Sequence, residues 1–406
     1  MESASSLAKS NLEQSHSNHK RRSRMSNEIN GTNGTNDVDP GDKFQNQNAD
    51  ETAPSTTGIR SSSGWDGKLR MQPRTAVLAN PEALSDPDYS DPDAPPAEQI
   101  PADDDLLDDD DPDTEDIDLV HCRISSVPSL RLDRFSKLKR LCLRQNAIQD
   151  IQLPAELAQT LEELDLYDNL IKHLEPGQLD EFTSLRTLDL SFNKLKHIKN
   201  LSSLTSLTEL YFVQNRITKI ENLEALVNLT MIELAANRIR EIEGLDNLTQ
   251  LKELWLGKNK ITEVRNIGHL QNLRLLDLKS NRLTSISGLE DLANLEELYV
   301  SHNAITAISP TSLKNNPKLR VLDISNNRIT KLENIAHLKE LEEFWASANG
   351  ISDFRDVERE LADKENLETV YFEANPLQLN GPAVYRNKVR LALPQVKQID
   401  ATFVRV

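Results

Sequence analysis

The sequence predicts an α/β solenoid, a right-handed superhelix of about twelve 22-residue turns with a C-terminal cap. Three observations predict it. Asparagine recurs at Asn146, Asn169, Asn193, Asn215, Asn237, Asn259, Asn281, Asn303, Asn327, Asn349 and Asn375, in steps of 22 to 26 residues. Apolar residues stand three, five and eight positions before nearly every one of them, and usually two and five after. Neighbouring units overlay without a gap: LTELYFVQNRITKIENLEALVN at 207–228 is followed at once by LTMIELAANRIREIEGLDNLTQ at 229–250.

This is the leucine-rich repeat, L-x-x-L-x-L-x-x-N-x-I/L. The alternating x-L-x-L-x stretch is a short strand with one face inward. The Asn side chain turns the chain out of that strand and satisfies backbone groups of the next coil, so Asn215 and Asn237 are expected to be buried. Cys122, 24 residues before Asn146, takes the same slot in a first unit. Asn222, Gly244, Asn266, Gly288 and Asn334 suit a left-handed turn on the outer arc. One unit alone buries too little apolar surface to offset its ordering entropy, so only the stack is stable.

The stack needs ends. Residues 115–376 read as the solenoid, opened by the polar DIDLVHCRI, and 377–406 as its cap. Within the cap, Pro382 to Leu393 reads as an amphipathic helix started by one proline and stopped before Pro394. Residues 1–114 are rich in Ser, Asn, Asp, Thr and Pro, and read as a disordered tail. The tail holds the charge: residues 1–118 carry 26 acidic and 10 basic side chains, against a whole-chain charge of -18. The repeats are therefore nearly neutral, and bulk attraction to nucleic acid is not expected. KRRSR at Lys20–Arg24 is a candidate nuclear localisation signal or a plain solvated patch. The acidic run 103–118 is a solubilising spacer or an arm touching a basic partner.

Other classes are set aside on specific grounds. The two cysteines, Cys122 and Cys142, make no disulfide framework. There is no signal-peptide core and no run of about 18 apolar residues, so no membrane role is expected. The eight histidines form no metal-ligand spacing, and His173 and His197 sit on the outer arc, so no metal or cofactor is expected. Asp165 and Asp189 lie on adjacent strands like an acid–base pair, but no nucleophile and no closed pocket accompany them, so the chain is not expected to be an enzyme.

Function should lie in what varies between units. The residues six, four, two and one before each Asn face outward from the sheet onto the concave side. The column four before reads Cys142, Asp165, Asp189, Tyr211, Glu233, Trp255, Asp277, Tyr299, Asp323, Trp345, Tyr371. Large aromatics interleaved with carboxylates are what a protein-binding surface presents.

The repeats with N-x-I-x-x-I-E-N-L, then LEEFWASANGI, LETVYFEANPLQ and the ending YRNKVRLALPQVKQIDATFVRV, closely resemble the leucine-rich-repeat regulatory subunits of protein phosphatase 1. The likeness covers about residues 115–406. It implies a non-catalytic subunit, monomeric apart from its complex, that grips the phosphatase catalytic subunit with its concave face. It also implies nuclear and mitotic work, with a nuclear and cytoplasmic location. Carried over residue by residue, the partner contacts fall on Asp189, Tyr211, Glu233, Trp255, Asp323, Glu343, Trp345 and Tyr371. Tyr211 and Trp255 stand where the family pattern has phenylalanine. From Asp189 to Tyr371 is about 38 Å of sheet, which suits the side of a globular domain. The R-V-x-F-like peptide through which most phosphatase 1 subunits dock has no convincing copy. The alternatives are a spliceosomal scaffold or another nuclear scaffold, such as an acidic histone-binding repeat protein, using the same face.

Overall fold

The computed structural model describes residues 106–404. The basic run Lys20–Arg24 and the tail expected before residue 106 lie outside the described residues. Twelve three-residue strands run parallel in one sheet: β1 (Asp116–Asp118), β2 (Arg140–Cys142), β3 (Glu163–Asp165), β4 (Thr187–Asp189), β5 (Glu209–Tyr211), β6 (Met231–Glu233), β7 (Glu253–Trp255), β8 (Leu275–Asp277), β9 (Glu297–Tyr299), β10 (Val321–Asp323), β11 (Glu343–Trp345) and β12 (Thr369–Tyr371). β13 (Gln398–Ile399) adds in parallel to β12, and β14 (Thr402–Phe403) closes the sheet antiparallel. The middle residue of each strand points into the core; Leu164, Leu188, Leu210, Ile232 and Leu254 are at most 1% exposed.

The asparagine ladder is present as expected, with Asn215 and Asn237 buried. Asn237 shows its chemistry. Its Nδ2 donates to the carbonyls of Phe212, Leu234 and Ala235 at 2.8, 3.1 and 3.2 Å, and its Oδ1 accepts the Ile217 N–H at 2.9 Å. Each rung thus ties its own strand end to the preceding coil. The residue before each ladder Asn turns left-handed, as at Gln214 (φ 55°), Ala236 (φ 56°) and Lys258 (φ 55°).

The outer arc turns as the sequence suggests. Asn222, Asn266 and Asn334 have φ of 59°, 59° and 65°, and Gly244 and Gly288 have 68° and 74°. Those asparagines form a second ladder, donating to Ile198, Ile242 and Ile308 carbonyls at 2.6–2.9 Å. At Gly288 a Cβ would lie 2.1 Å from the Val264 carbonyl oxygen, so only glycine fits. Apart from short 3-10 turns at Pro128–Leu130, Leu132–Arg134 and Ala155–Leu157, the arc is turns; among the described residues, α-helix is confined to the last unit and the cap.

Both ends depart from the sequence reading. Residues 106–114, assigned above to the tail, pack on the first coil. Leu107 is 3% exposed, Asp108 pairs with Arg131 and Arg134, and Asp113 meets Lys137 at 2.8 Å. Glu115 and Asp116 continue the pairing with Lys139 at 2.8 Å and Arg140 at 2.6 Å. The end of the acidic run is therefore an N-terminal cap whose charges face a basic first coil.

At the other end, the 26 residues from Asn349 to Asn375 hold a helix not foreseen, α1 (Phe354–Leu361). Asp353 caps it, accepting the Arg355 N–H at 2.9 Å. Two charges on this unit are buried and bond the backbone of the preceding coil. Glu360 accepts the N–H groups of Ile335 and Ala336 at 2.9 and 3.0 Å, and Lys364 donates to their carbonyls at 2.9 and 3.1 Å. Burial pushes the Lys364 ammonium down to about 8. α2 (Pro376–Leu379) leads into α3 (Pro382–Ala392), which covers the last coil with Tyr385, Val389 and Ala392. The Tyr385 hydroxyl donates to Asp400 at 2.9 Å and ties helix to hairpin.

Candidate protein-binding face

Strand register sets the outward-facing columns. Asp189, Tyr211, Glu233 and Trp255 are successive Cα partners, as are Asp323, Trp345 and Tyr371. Asp277 and Tyr299 fill the gap between the two groups. Glu343 opens β11, two residues before Trp345, and so faces the same side. All eight residues singled out by sequence stand on one face of one sheet.

The face has a two-repeat pattern. Strands β5, β7, β9 and β11 read Glu-x-aromatic: Glu209/Tyr211, Glu253/Trp255, Glu297/Tyr299 and Glu343/Trp345. Strands β6, β8 and β10 between them read apolar-x-acid: Met231/Glu233, Leu275/Asp277 and Val321/Asp323. From β3 to β12 the strands carry ten carboxylates and no lysine or arginine.

Local bonds hold these side chains. The Tyr211 hydroxyl donates to Glu209 at 2.9 Å, the Trp255 indole N–H to Glu253 at 3.2 Å, and the Tyr299 hydroxyl to Glu297 at 2.7 Å. Burial, then the Glu297 charge, raises the Tyr299 phenol above its usual range. Trp345 is the exception: its indole N–H is buried without a hydrogen-bond partner. Its ring is instead clamped edge-on between Tyr299 and Tyr371, with centroids 6.2 and 5.8 Å away. Gln398 of the cap hairpin donates to the Tyr371 hydroxyl at 2.8 Å, and Lys279 stands over the Tyr299 ring at 5.5 Å.

The structure corrects the idea that the whole column is open surface. Asp189, Tyr211 and Asp323 are only 5–6% exposed. The aspartates have local work: Oδ1 of Asp165, Asp189, Asp277 and Asp323 each accepts the N–H two residues on, at 2.9–3.0 Å. This turn ends the strand before the left-handed step. Burial raises the carboxyl pKa of Asp277, although Lys279 lies 3.1 Å away. Glu233, Trp255, Glu343, Trp345 and Tyr371 are the candidates left half-exposed. Tyr299 belongs with them; it stood in the sequence column but was not carried into the site.

Among the described residues no His, Cys, Asp and Glu group is placed to hold a metal, and no helix is long and apolar enough to cross a membrane. Burial pushes the Cys142 thiol up to about 11, which leaves it unreactive at neutral pH.

Two leucine-rich-repeat family patterns match the chain. One matches residues 136–195, 159–217, 249–305 and 293–351, and the two-copy form matches 205–247 and 227–269. Together they run without a break from 136 to 351, more than half of the 406 residues. The chain belongs to the leucine-rich-repeat family. Within this family it is similar to proteins named as protein phosphatase 1 regulatory subunits. It is 52% identical over 89 residues to regulatory subunit SDS22 of Saccharomyces cerevisiae, covering 22% of this chain and 26% of the relative. It is 63% identical over 54 residues to SDS22 of Schizosaccharomyces pombe, covering 13% of this chain and 16% of the relative. It is 63% identical over 46 residues to human regulatory subunit 7, covering 11% and 12%. The matched stretches thus span about a quarter or less of these relatives. Among solved structures, a leucine-rich-repeat protein of Leptospira interrogans superposes with TM-score 0.54 at 25% identity, covering 68% of this chain and 81% of that one. An internalin of Listeria monocytogenes gives 0.54 at 19% identity over 71% and 87%, a likeness of fold alone.

Proposed function

We propose that this leucine-rich-repeat chain is a non-catalytic regulatory subunit that binds the catalytic subunit of protein phosphatase 1 through the outward face of β4–β12. The observation that carries the reading is the Tyr299–Trp345–Tyr371 cluster, set beside Glu343 in a field of carboxylates. Relatives named as phosphatase 1 regulatory subunits supply the partner's identity. Half-buried aromatics with fixed orientation lose little entropy when a partner covers them, which is what anchors affinity. The ten carboxylates on strands that carry no lysine or arginine favour a partner patch bearing lysine and arginine. The shallow sheet offers no enclosed site for chemistry: its aspartates accept backbone N–H groups, and Glu209, Glu253 and Glu297 accept from the aromatic donors. Nuclear as well as cytoplasmic residence and a mitotic role belong to the same proposal, supported by the family resemblance and the KRRSR run.

The test is titration of purified catalytic subunit against the full chain and its Trp345→Ala variant. Removing such an anchor is expected to cost at least ~2 kcal/mol, roughly thirtyfold in affinity. Glu343→Ala should weaken binding less and flatten its salt dependence. Binding by Trp345→Ala within about twofold of wild type would sink the mechanism. A pull-down that returns spliceosomal proteins in place of phosphatase would favour the scaffold alternative.

A further inference from the structure

A second charged array lies along one edge of the solenoid, just past the sheet. The residue after the ladder asparagine is Lys194, Arg216, Arg238, Lys260 and Arg282 in five successive repeats, then Ala304, then Arg328. The backbone N–H groups of Arg216, Arg238 and Lys260 each donate to the preceding repeat at 2.8 Å, to Leu195, Ile217 and Ile239. Those bonds hold the column in register at the strand spacing of about 4.8 Å. Arg216, Arg238, Arg282 and Arg328 are exposed, and the two lysines half-exposed.

Among the described residues, none of these six cations makes an ion pair or a side-chain hydrogen bond. Cations elsewhere on the repeats do. Arg265 meets Glu241 at 2.8 Å, Lys219 meets Glu243 at 3.5 Å, and Arg320 meets Glu342 at 2.8 Å. Like charges one strand apart repel. The side chains of the column therefore add no pairing to the fold, and such local conflict marks places kept for another purpose. Lys194, Arg216 and Arg238 also line a groove of about 300 Å³ with Phe192 and Gln214. The Phe192 ring, half-buried, leans on Tyr167 at 4.7 Å and forms an apolar wall there.

We propose that this edge docks an extended acidic segment of a partner polypeptide, with carboxylates on the cations from Lys194 to Arg282 and one apolar side chain against Phe192. The dimensions fit. Four strand steps are about 19 Å, the length of roughly six extended residues, whose about three same-side carboxylates, ~6.8 Å apart, each fall between neighbouring cations of the column and are shared by them. The array is one cation wide, and the neighbouring sheet face carries ten carboxylates. A broad polyanion such as duplex nucleic acid or an anionic membrane would overlap that acidic face and be repelled. A single strand would not. The residues differ from those of the phosphatase reading, so the two stand or fall separately.

The probe is a fluorescent peptide, acetyl-Phe-Asp-Glu-Asp-Glu-Asp-Glu-amide, titrated against the full chain. Wild type should bind it, with affinity falling as salt rises. The triple variant Arg216→Glu, Arg238→Glu, Lys260→Glu should bind at least about tenfold more weakly, and the triple Gln variant should fall between. Arg265→Glu, outside the array, and Trp345→Ala, on the sheet face, should bind like wild type. Circular dichroism melting confirms that each variant is folded; a triple Glu variant that does not fold leaves the Gln variant to decide. The proposal is overturned if wild type ignores the peptide or if the Gln variant binds it equally well. It is also overturned if a single-stranded oligonucleotide or anionic vesicles bind the same cations more tightly.

Discussion

Asn237→Ala isolates what one rung of the ladder does. Its carbonyl partners are not left alone when the side chain goes. Phe212 O keeps Asn215 at 3.2 Å, Leu234 O keeps Asn259 at 2.9 Å, and Ala235 O keeps the Gln214 N–H at 2.9 Å. The Ile217 N–H has only Asn237 Oδ1, at 2.9 Å, and Ile217 is fully buried. The loss is then one stranded donor at about 1–3 kcal/mol plus a small cavity of about 1, or roughly 2–4 kcal/mol in all. Asn237→Asp keeps that acceptor but sets a carboxylate against three carbonyl oxygens, so it should be no better. Asn228→Ala is the control: an exposed asparagine donating to Thr205 O at 2.8 Å, expected to change stability by under about 0.5 kcal/mol. Urea unfolding followed by circular dichroism gives the energies, and amide exchange at Ile217 locates them. Equal midpoints for Asn237→Ala and Asn228→Ala would refute the account, because only Asn237→Ala strands a buried N–H and opens a cavity.

Gly288→Ala should cost at least about 2 kcal/mol, from left-handed strain plus the close Val264 carbonyl, whereas Gly177→Ala, with φ 86° and open space around it, should cost only about 1; equal thermal shifts would contradict this. For Lys364, burial lowers the folded-state pKa to about 8 from 10.5, so between those values the unfolded chain holds more protons and stability rises with pH. The stability of wild type relative to Lys364→Met should therefore climb by up to about 3 kcal/mol from pH 7.5 to 10.5, and a flat difference would reject it. Asp277 has the opposite sense: its raised folded-state pKa means stability is lost as pH rises through the carboxylate range, and Asp277→Asn should remove that loss in pH-dependent melting.

Sequence carried the solenoid almost completely, because one register of Leu and Asn admits one way to bury both. It placed Asn222, Gly244 and their equivalents in left-handed turns for the same reason. It failed where the repeat rule bends. The helix Phe354–Leu361 was hidden in a unit four residues longer than the 22-residue norm, with Asp353 as its cap signal. The acidic residues from 106 to 114 read as tail because their basic partners, Arg131, Arg134 and Lys137, lie a full coil away in sequence. On the candidate face, position was legible and burial was not. Whether Tyr211 or Trp345 is covered depends on the side chains of flanking strands, and a column of letters does not give that. The cations after six of the ladder asparagines were in plain view as N-K/R-I/L, but their lack of partners is visible only in three dimensions.

The two-repeat alternation bears on why the face would grip at one end. The core repeats every 22 residues and has no use for a 44-residue period, so the alternation is a property of the surface. Its effect is to flank Tyr211, Trp255 and Tyr299 with carboxylates on both neighbouring strands and with a glutamate two residues earlier. In Tyr211, Trp255 and Tyr299 that glutamate takes the ring's donor, which fixes the ring before any partner arrives but uses up its polar group. Trp345 keeps the same Glu-x-aromatic spelling, yet its indole N–H has no acceptor and the ring is held by Tyr299 and Tyr371 instead. A buried unmet donor costs about 1–3 kcal/mol, and a partner that turned the ring enough to bring the N–H to an acceptor would recover that energy on binding. The other aromatics have no such energy to recover. Affinity should therefore concentrate at Trp345, and replacing Trp255 by alanine should weaken phosphatase binding less than replacing Trp345, although both are half-exposed tryptophans in the same column.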